Sequence, residues 1–145
     1  MRRGFEKVSG YEYVNFPKRK TKQSAGYDIE SAVNVVINPG ETKLIPTGLK
    51  AYMDENEWLG IYIRSSLAIK YGLVLANSVA VIDSDYYNNP ENEGHIMMAL
   101  RNTSGSPCAI KVGDRIAQGI FNQYYKVDDD SADGDRTGGI GSTGK

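Results

Sequence analysis

Ala80-Val81-Ile82-Asp83-Ser84-Asp85-Tyr86 carries a short apolar run into two carboxylates and an aromatic ring. A run this brief that ends in turn-forming residues reads as a buried strand surfacing at Asp83. A carboxylate so mounted is held from one side and faces solvent or a ligand on the other, as a general base is. The same letters also spell an Asx turn, with Asp83 and Asp85 satisfying backbone amides and Tyr86 half-buried. Taken alone, Asp-Ser-Asp favours the turn.

The segments around it decide the class. Val33-Asn34-Val35-Val36-Ile37 is closed by the turn Asn38-Pro39-Gly40, and Leu44-Ile45-Pro46 is strand only at an edge or bulge, because Pro46 cannot donate to a ladder. Leu49, Ala51 and Met53 alternate with Lys50 and Tyr52, predicting one buried and one wet face. Trp58 to Ile63, Leu73 to Leu75, His95 to Arg101 and Ile116 to Phe121 read as further strands. With 16 glycines, 10 tyrosines and no helical spacing sustained beyond about two turns, the chain is all-β. The one short helix-like piece is Leu67-Ala68-Ile69-Lys70. Tyr87-Asn88-Asn89-Pro90-Glu91-Asn92-Glu93-Gly94 reads as an exposed loop, with lone His95 beside it as a surface or capping residue.

The 145 residues make a single domain by length, and 17 basic against 18 acidic residues leave no field of the kind that recruits nucleic acid or membranes. One cysteine and one histidine exclude a disulfide framework and a zinc site built from His and Cys within one subunit; Cys108 reads as core. Without a spanning run or a signal-peptide pattern, the chain reads as a soluble cytoplasmic protein.

Four more stretches carry chemistry. Ala25-Gly26-Tyr27-Asp28 places small residues before an aromatic and a carboxylate, suiting a close backbone approach or simply a strand entrance. Arg64-Ser65-Ser66 before the helical piece is either an anion site or a Ser N-cap. Gln118 interrupts an apolar run, so its amide is either satisfied within the fold or aimed at a ligand. Lys18-Arg19-Lys20-Thr21-Lys22 reads as a solvated loop. From Asp128 to Asp135 the composition turns acidic, as in a flexible linker, and the end, Arg136-Thr137-Gly138-Gly139-Ile140-Gly141-Ser142-Thr143-Gly144-Lys145, could wrap a polyphosphate through backbone amides or fray as a tail. Its likeness to a P-loop is accidental, since no helix or strand follows.

Five segments, in order, resemble the five motifs of the trimeric dUTP diphosphatase (dUTPase) family. They are Ala25-Gly26-Tyr27-Asp28, Arg64-Ser65-Ser66-Leu67-Ala68, Val81 to Tyr86, Gly113-Asp114-Arg115-Ile116-Ala117-Gln118 and Gly138 to Gly144. The resemblance implies a jelly-roll (β-clip) domain over 1–127 and an acidic linker with a glycine-rich arm over 128–145. It implies a homotrimer with sites at subunit junctions, and Mg²⁺-dependent hydrolysis of dUTP to dUMP and pyrophosphate. By position, Asp83 would activate the attacking water, Tyr86 would stack under the deoxyribose, and Asn77 would read the uracil edge. Arg64, Ser65, Ser66 and Gln118 would hold the phosphates, Asp28 the water shell of the metal, and Arg136, Gly141, Ser142 and Thr143 the phosphate end as the arm closes.

Three departures from the pattern stand out. Seven residues separate Tyr86 from Gly94 where many members have one, an insertion over 87–93 that either tunes access or offers a surface to a protein partner. Ile140 replaces a phenylalanine that covers the uracil, which leaves Tyr87 or another aromatic as lid, and Arg136 sits one residue nearer the glycine pair. A dCTP deaminase of the same fold is the nearest rival, although no glutamate lies in a motif-bearing strand. A trimeric protein-binding module is the other.

Overall fold

The structure, a computed structural model, describes residues 2–139; Ile140, Gly141, Ser142 and Thr143 lie outside the described residues. The elements in order are β1 (Gly4–Lys7), β2 (Tyr27–Glu30), β3 (Val35–Ile37), β4 (Thr42–Pro46), β5 (Leu49–Tyr52) and β6 (Glu57–Ile63). Helix α1 (Ser65–Tyr71) follows, then β7 (Leu73–Leu75), β8 (Ala80–Asp83), a 3₁₀ turn (Ser84–Tyr86), β9 (Met97–Asn102), β10 (Cys108–Ile110) and β11 (Arg115–Gln123). The architecture is the all-β jelly roll expected, with one short helix.

Pairing is antiparallel throughout the named strands. A four-stranded sheet runs β2-β11-β6-β8 and a three-stranded sheet β4-β9-β7, flanked by the pairs β1-β5 and β3-β10. Pro46 ends β4 on the edge of its sheet, where its missing N–H costs no ladder bond. The inward faces meet in one core of aliphatic side chains, among them Ile29, Ile61, Met98, Leu100 and Ile116, all fully buried. Cys108 is part of it, and burial pushes its thiol up.

Two expectations about the strands need correction. Lys50 falls on the face expected to be wet, yet it is buried, because its ammonium donates to Asn88 Oδ1 at 2.6 Å and Glu93 Oε2 at 3.0 Å. Glu57, one residue before the strand expected from Trp58 to Ile63, opens β6 in a buried position and is paired with Arg3 at 2.6 Å. In both cases a partner distant in sequence satisfies a charge that local pattern assigns to solvent.

Candidate active site

β8 does what its alternation predicts. Ala80 and Ile82 are buried and Val81 and Asp83 exposed, so the strand anchors in the core through one face and presents Asp83 on the other. The 3₁₀ turn that follows breaks the period of two and returns Tyr86 to the interior at 7% exposure. Asp83 and Tyr86 therefore share a cavity of about 420 Å³, with Asn77 from the turn after β7 and an apolar wall from Leu44, Met97 and Ala99. Sequence reading missed that wall, although the alternation of β9, with Met98 and Leu100 buried, already places Met97 and Ala99 on the opposite face.

The arm lies in the same cavity. Arg136 donates through Nε to Asp85 Oδ1 at 3.0 Å and through Nη2 to Asp83 Oδ2 at 2.5 Å. Burial works against the charge of Arg136, and the two carboxylates more than restore it. Asp85 thus holds the arginine of the arm.

Tyr86 is fixed at its tip. Its hydroxyl donates to the His95 carbonyl at 2.5 Å and accepts from Asn92 Nδ2 at 2.9 Å, and burial pushes its pKa up. His95 is the capping residue anticipated: its Nε2 accepts the Gly48 N–H at 2.9 Å, and burial pushes its pKa down.

The loop after Tyr86 is not the exposed excursion its composition suggests. Asn89 is buried and binds the Tyr86 carbonyl and Asn92, Glu93 accepts from Lys50 and Ser9 N, and Tyr87 donates to Glu6 Oε1 at 2.7 Å while its ring packs against Tyr52. Tyr87 is therefore engaged on β1 and β5 and does not act as a lid over the cavity. Nothing in the composition of 87–93 announces these bonds, because their partners lie up to 84 positions away.

The residues expected to hold phosphate lie elsewhere. Arg64 and Ser66 line a second cavity of about 500 Å³ with Lys70, Asp114 and Arg115, which shares no lining residue with the first. Arg64 itself is the N-cap of α1 and no side chain caps the helix, so the Ser N-cap is not formed; Ser65 and Ser66 stand in its first turn. Arg115 reaches Asp28 Oδ2 at 3.4 Å. Gln118 lies opposite Asp28 on β2 and packs on Gly26, where a Cβ would collide with its amide oxygen. Arg19 of the basic loop donates to the carbonyls of Thr21, Lys22 and Ser24, closing that loop on itself.

A single chain thus carries a pocket that holds Asp83 and a separate cationic pocket, each built from motifs that the sequence orders together. The dUTPase family model matches residues 12–144. The chain belongs to the dUTPase family. Among its relatives is the deoxyuridine 5'-triphosphate nucleotidohydrolase of Lactococcus lactis, 55% identical over 98% of this chain and 97% of that protein. The crystal structure of dUTPase from Streptococcus mutans superposes with a TM-score of 0.83 at 45% identity, over 86% of this chain and 98% of that one. The dUTPase from phage phi11 of S. aureus, at 22% identity and a TM-score of 0.77 over 92% of this chain and 97% of that one, shares the fold. Among the described residues of this dUTPase family member, no helix is long and apolar enough to cross a membrane.

Proposed function

We propose that the protein hydrolyses dUTP to dUMP and pyrophosphate by in-line attack of water on the α-phosphorus. The observation that carries this reading is the placement of Asp83, half-exposed at the rim of a cavity whose wall is the buried ring of Tyr86, in a member of the dUTPase family. Asp83 orients the water and takes its proton, a contribution of roughly 10²–10⁴ in rate. Tyr86, held by His95 and Asn92, forms a floor under the deoxyribose with no space for a 2′-hydroxyl, and Asn77 reads the uracil edge with the strand backbone beside it.

The phosphates are held by Arg64, Ser65, Ser66 and Gln118, whose donors meet negative oxygens as the reaction requires. These residues do not share the cavity of Asp83, which supports a homotrimer in which the cationic pocket of one subunit faces the nucleoside pocket of the next. The jelly roll, residues 1–127, supplies both pockets, and the segment 128–145 closes them. As the triphosphate enters, Arg136 exchanges Asp83 and Asp85 for the γ-phosphate, with Gly141, Ser142 and Thr143 adding amides and hydroxyls.

Among the described residues no cluster of His, Cys, Asp or Glu forms a cage for a metal. Mg²⁺ is a hard ion that keeps its waters and takes only one or two carboxylates, so it would be held mainly by the triphosphate. Asp28, a quarter exposed and shared with Arg115, would support that water shell. When bound, Mg²⁺ supplies charge neutralisation at the phosphates.

Incubation with dUTP and, separately, dCTP, followed by product identification, tests the reading. It predicts dUMP and pyrophosphate from dUTP and no reaction of dCTP. Deoxyuridine nucleotides arising from dCTP contradict it and favour a deaminase.

A further inference from the structure

We propose that the 87–93 loop is a seat for the C-terminal arm, in which Glu91 and Asn92 are positioning residues that hold Gly139 beside Tyr86. The inference rests on the reading of the pocket given above and concerns that same pocket.

The loop forms a bracket with two sides. On one side Glu93 and Asn88 grip the buried Lys50 ammonium, Ser9 N donates to Glu93 at 3.2 Å, and Tyr87 bonds Glu6. These contacts tie the loop to β1 and β5. On the other side the carboxamide of Asn92 has no rotational choice: its Oδ1 accepts from Asn89 Nδ2 at 2.8 Å and Gly94 N at 3.0 Å, so its Nδ2 must point at the Tyr86 hydroxyl.

The arm passes over this second side. Gly139 N donates to Glu91 Oε2 at 3.2 Å. A Cβ on Gly139 would stand 2.7 Å from Asn92 Nδ2 and 3.4 Å from the Tyr86 ring. The φ of Gly139 lies outside the left-handed region, so glycine is required here by space and not by backbone conformation. Among the described residues the arm is accordingly bonded at two points three residues apart, Arg136 to Asp83 and Asp85 and Gly139 to Glu91, with the Asn92 carboxamide as the wall beside Gly139. An arm already seated loses less freedom when it closes on a nucleotide, so the loop lowers the conformational cost of binding.

Tryptic cleavage after Arg136, followed by mass spectrometry of the full chain, reads the seat without reference to activity. Glu91→Ala should speed that cleavage about three- to tenfold, the range for losing one hydrogen bond, and Asn92→Ala, which removes the wall beside Gly139, should speed it as well. Gly139→Ala, outside the core, should do the same in the parent protein and add little in an Asn92→Ala background, where its Cβ has room. In dUTP turnover the Glu91→Ala change should raise KM by a similar factor while kcat holds. Unchanged cleavage rates, or effects of Gly139→Ala and Asn92→Ala that simply add, overturn the seat. Coupled cleavage in a protein that leaves dUTP intact supports the seat and contradicts the functional reading instead.

Discussion

Arg136 Nη2 donates to Asp83 Oδ2 at 2.5 Å, so the cation of the arm and the carboxylate of the pocket neutralise each other within one chain. On the proposed reading, Asp83 stays paired with the guanidinium until phosphate oxygens, which arginine also binds bidentately, compete for it. On that reading the arm has two tasks, covering Asp83 at rest and binding phosphate during turnover.

Removal of residues 136–145 separates those tasks from assembly. The account expects kcat/KM for dUTP to fall by about 10²–10³, as when a charge-stabilising donor is lost, with the oligomer mass by light scattering unaltered. A truncated protein that becomes monomeric would make the arm structural.

Tyr86 distinguishes ring from hydroxyl. Tyr86→Phe keeps the floor but leaves the His95 carbonyl and Asn92 Nδ2 without their partner, costing about 1–3 kcal/mol of stability while rejection of UTP persists. Tyr86→Ala opens the floor, and the ratio of kcat/KM for dUTP over UTP should fall at least about tenfold. Competition kinetics with the two nucleotides measures both.

Gly26→Ala probes the phosphate side. The new Cβ meets the amide oxygen of Gln118, the movable end of a side chain, so the collision is relieved by pushing that amide aside. KM for dUTP should rise with Tm shifted by only a few degrees, roughly the effect of 1 kcal/mol. Unaltered kinetics would remove Gln118 from phosphate binding.

Acid should loosen the bracket around Lys50. Hydrogen bonds from Lys50 and Ser9 push the Glu93 carboxyl down to about 2, and burial pushes His95 down. Both groups bind protons more weakly folded than unfolded, so both stabilise above their unfolded values and lose that contribution as pH falls. Stability should start to drop below about pH 6.5 through His95, and again between about pH 4.3 and the folded value of Glu93. Thermal unfolding across pH should show the second decline flattened in Lys50→Met.

The fold was legible because period-two alternation in β8 and the edge position of Pro46 are local facts, and local facts survive folding. That Asp83 surfaces at the end of β8 was legible for the same reason, whereas Asn77, Tyr86 and Arg136 were expected beside it from the resemblance; all four line one cavity. Lys50, Glu57 and the 87–93 loop were not legible, because their bonds join residues far apart in sequence and a charged or Asn-rich stretch reads as solvated until its partner is known. The separation of Arg64 and Ser66 from Asp83 was equally invisible, since motif order says nothing about which motifs one chain brings together.

Pyrophosphate release from dUTP and from UTP with Mg²⁺, by the parent protein and by Asp83→Asn, tests the central claim most directly. The account predicts rapid release from dUTP, little from UTP, and a loss of at least about 10² in Asp83→Asn with nucleotide binding retained. Near-normal turnover by Asp83→Asn, or equal hydrolysis of the two nucleotides by the parent protein, would contradict it.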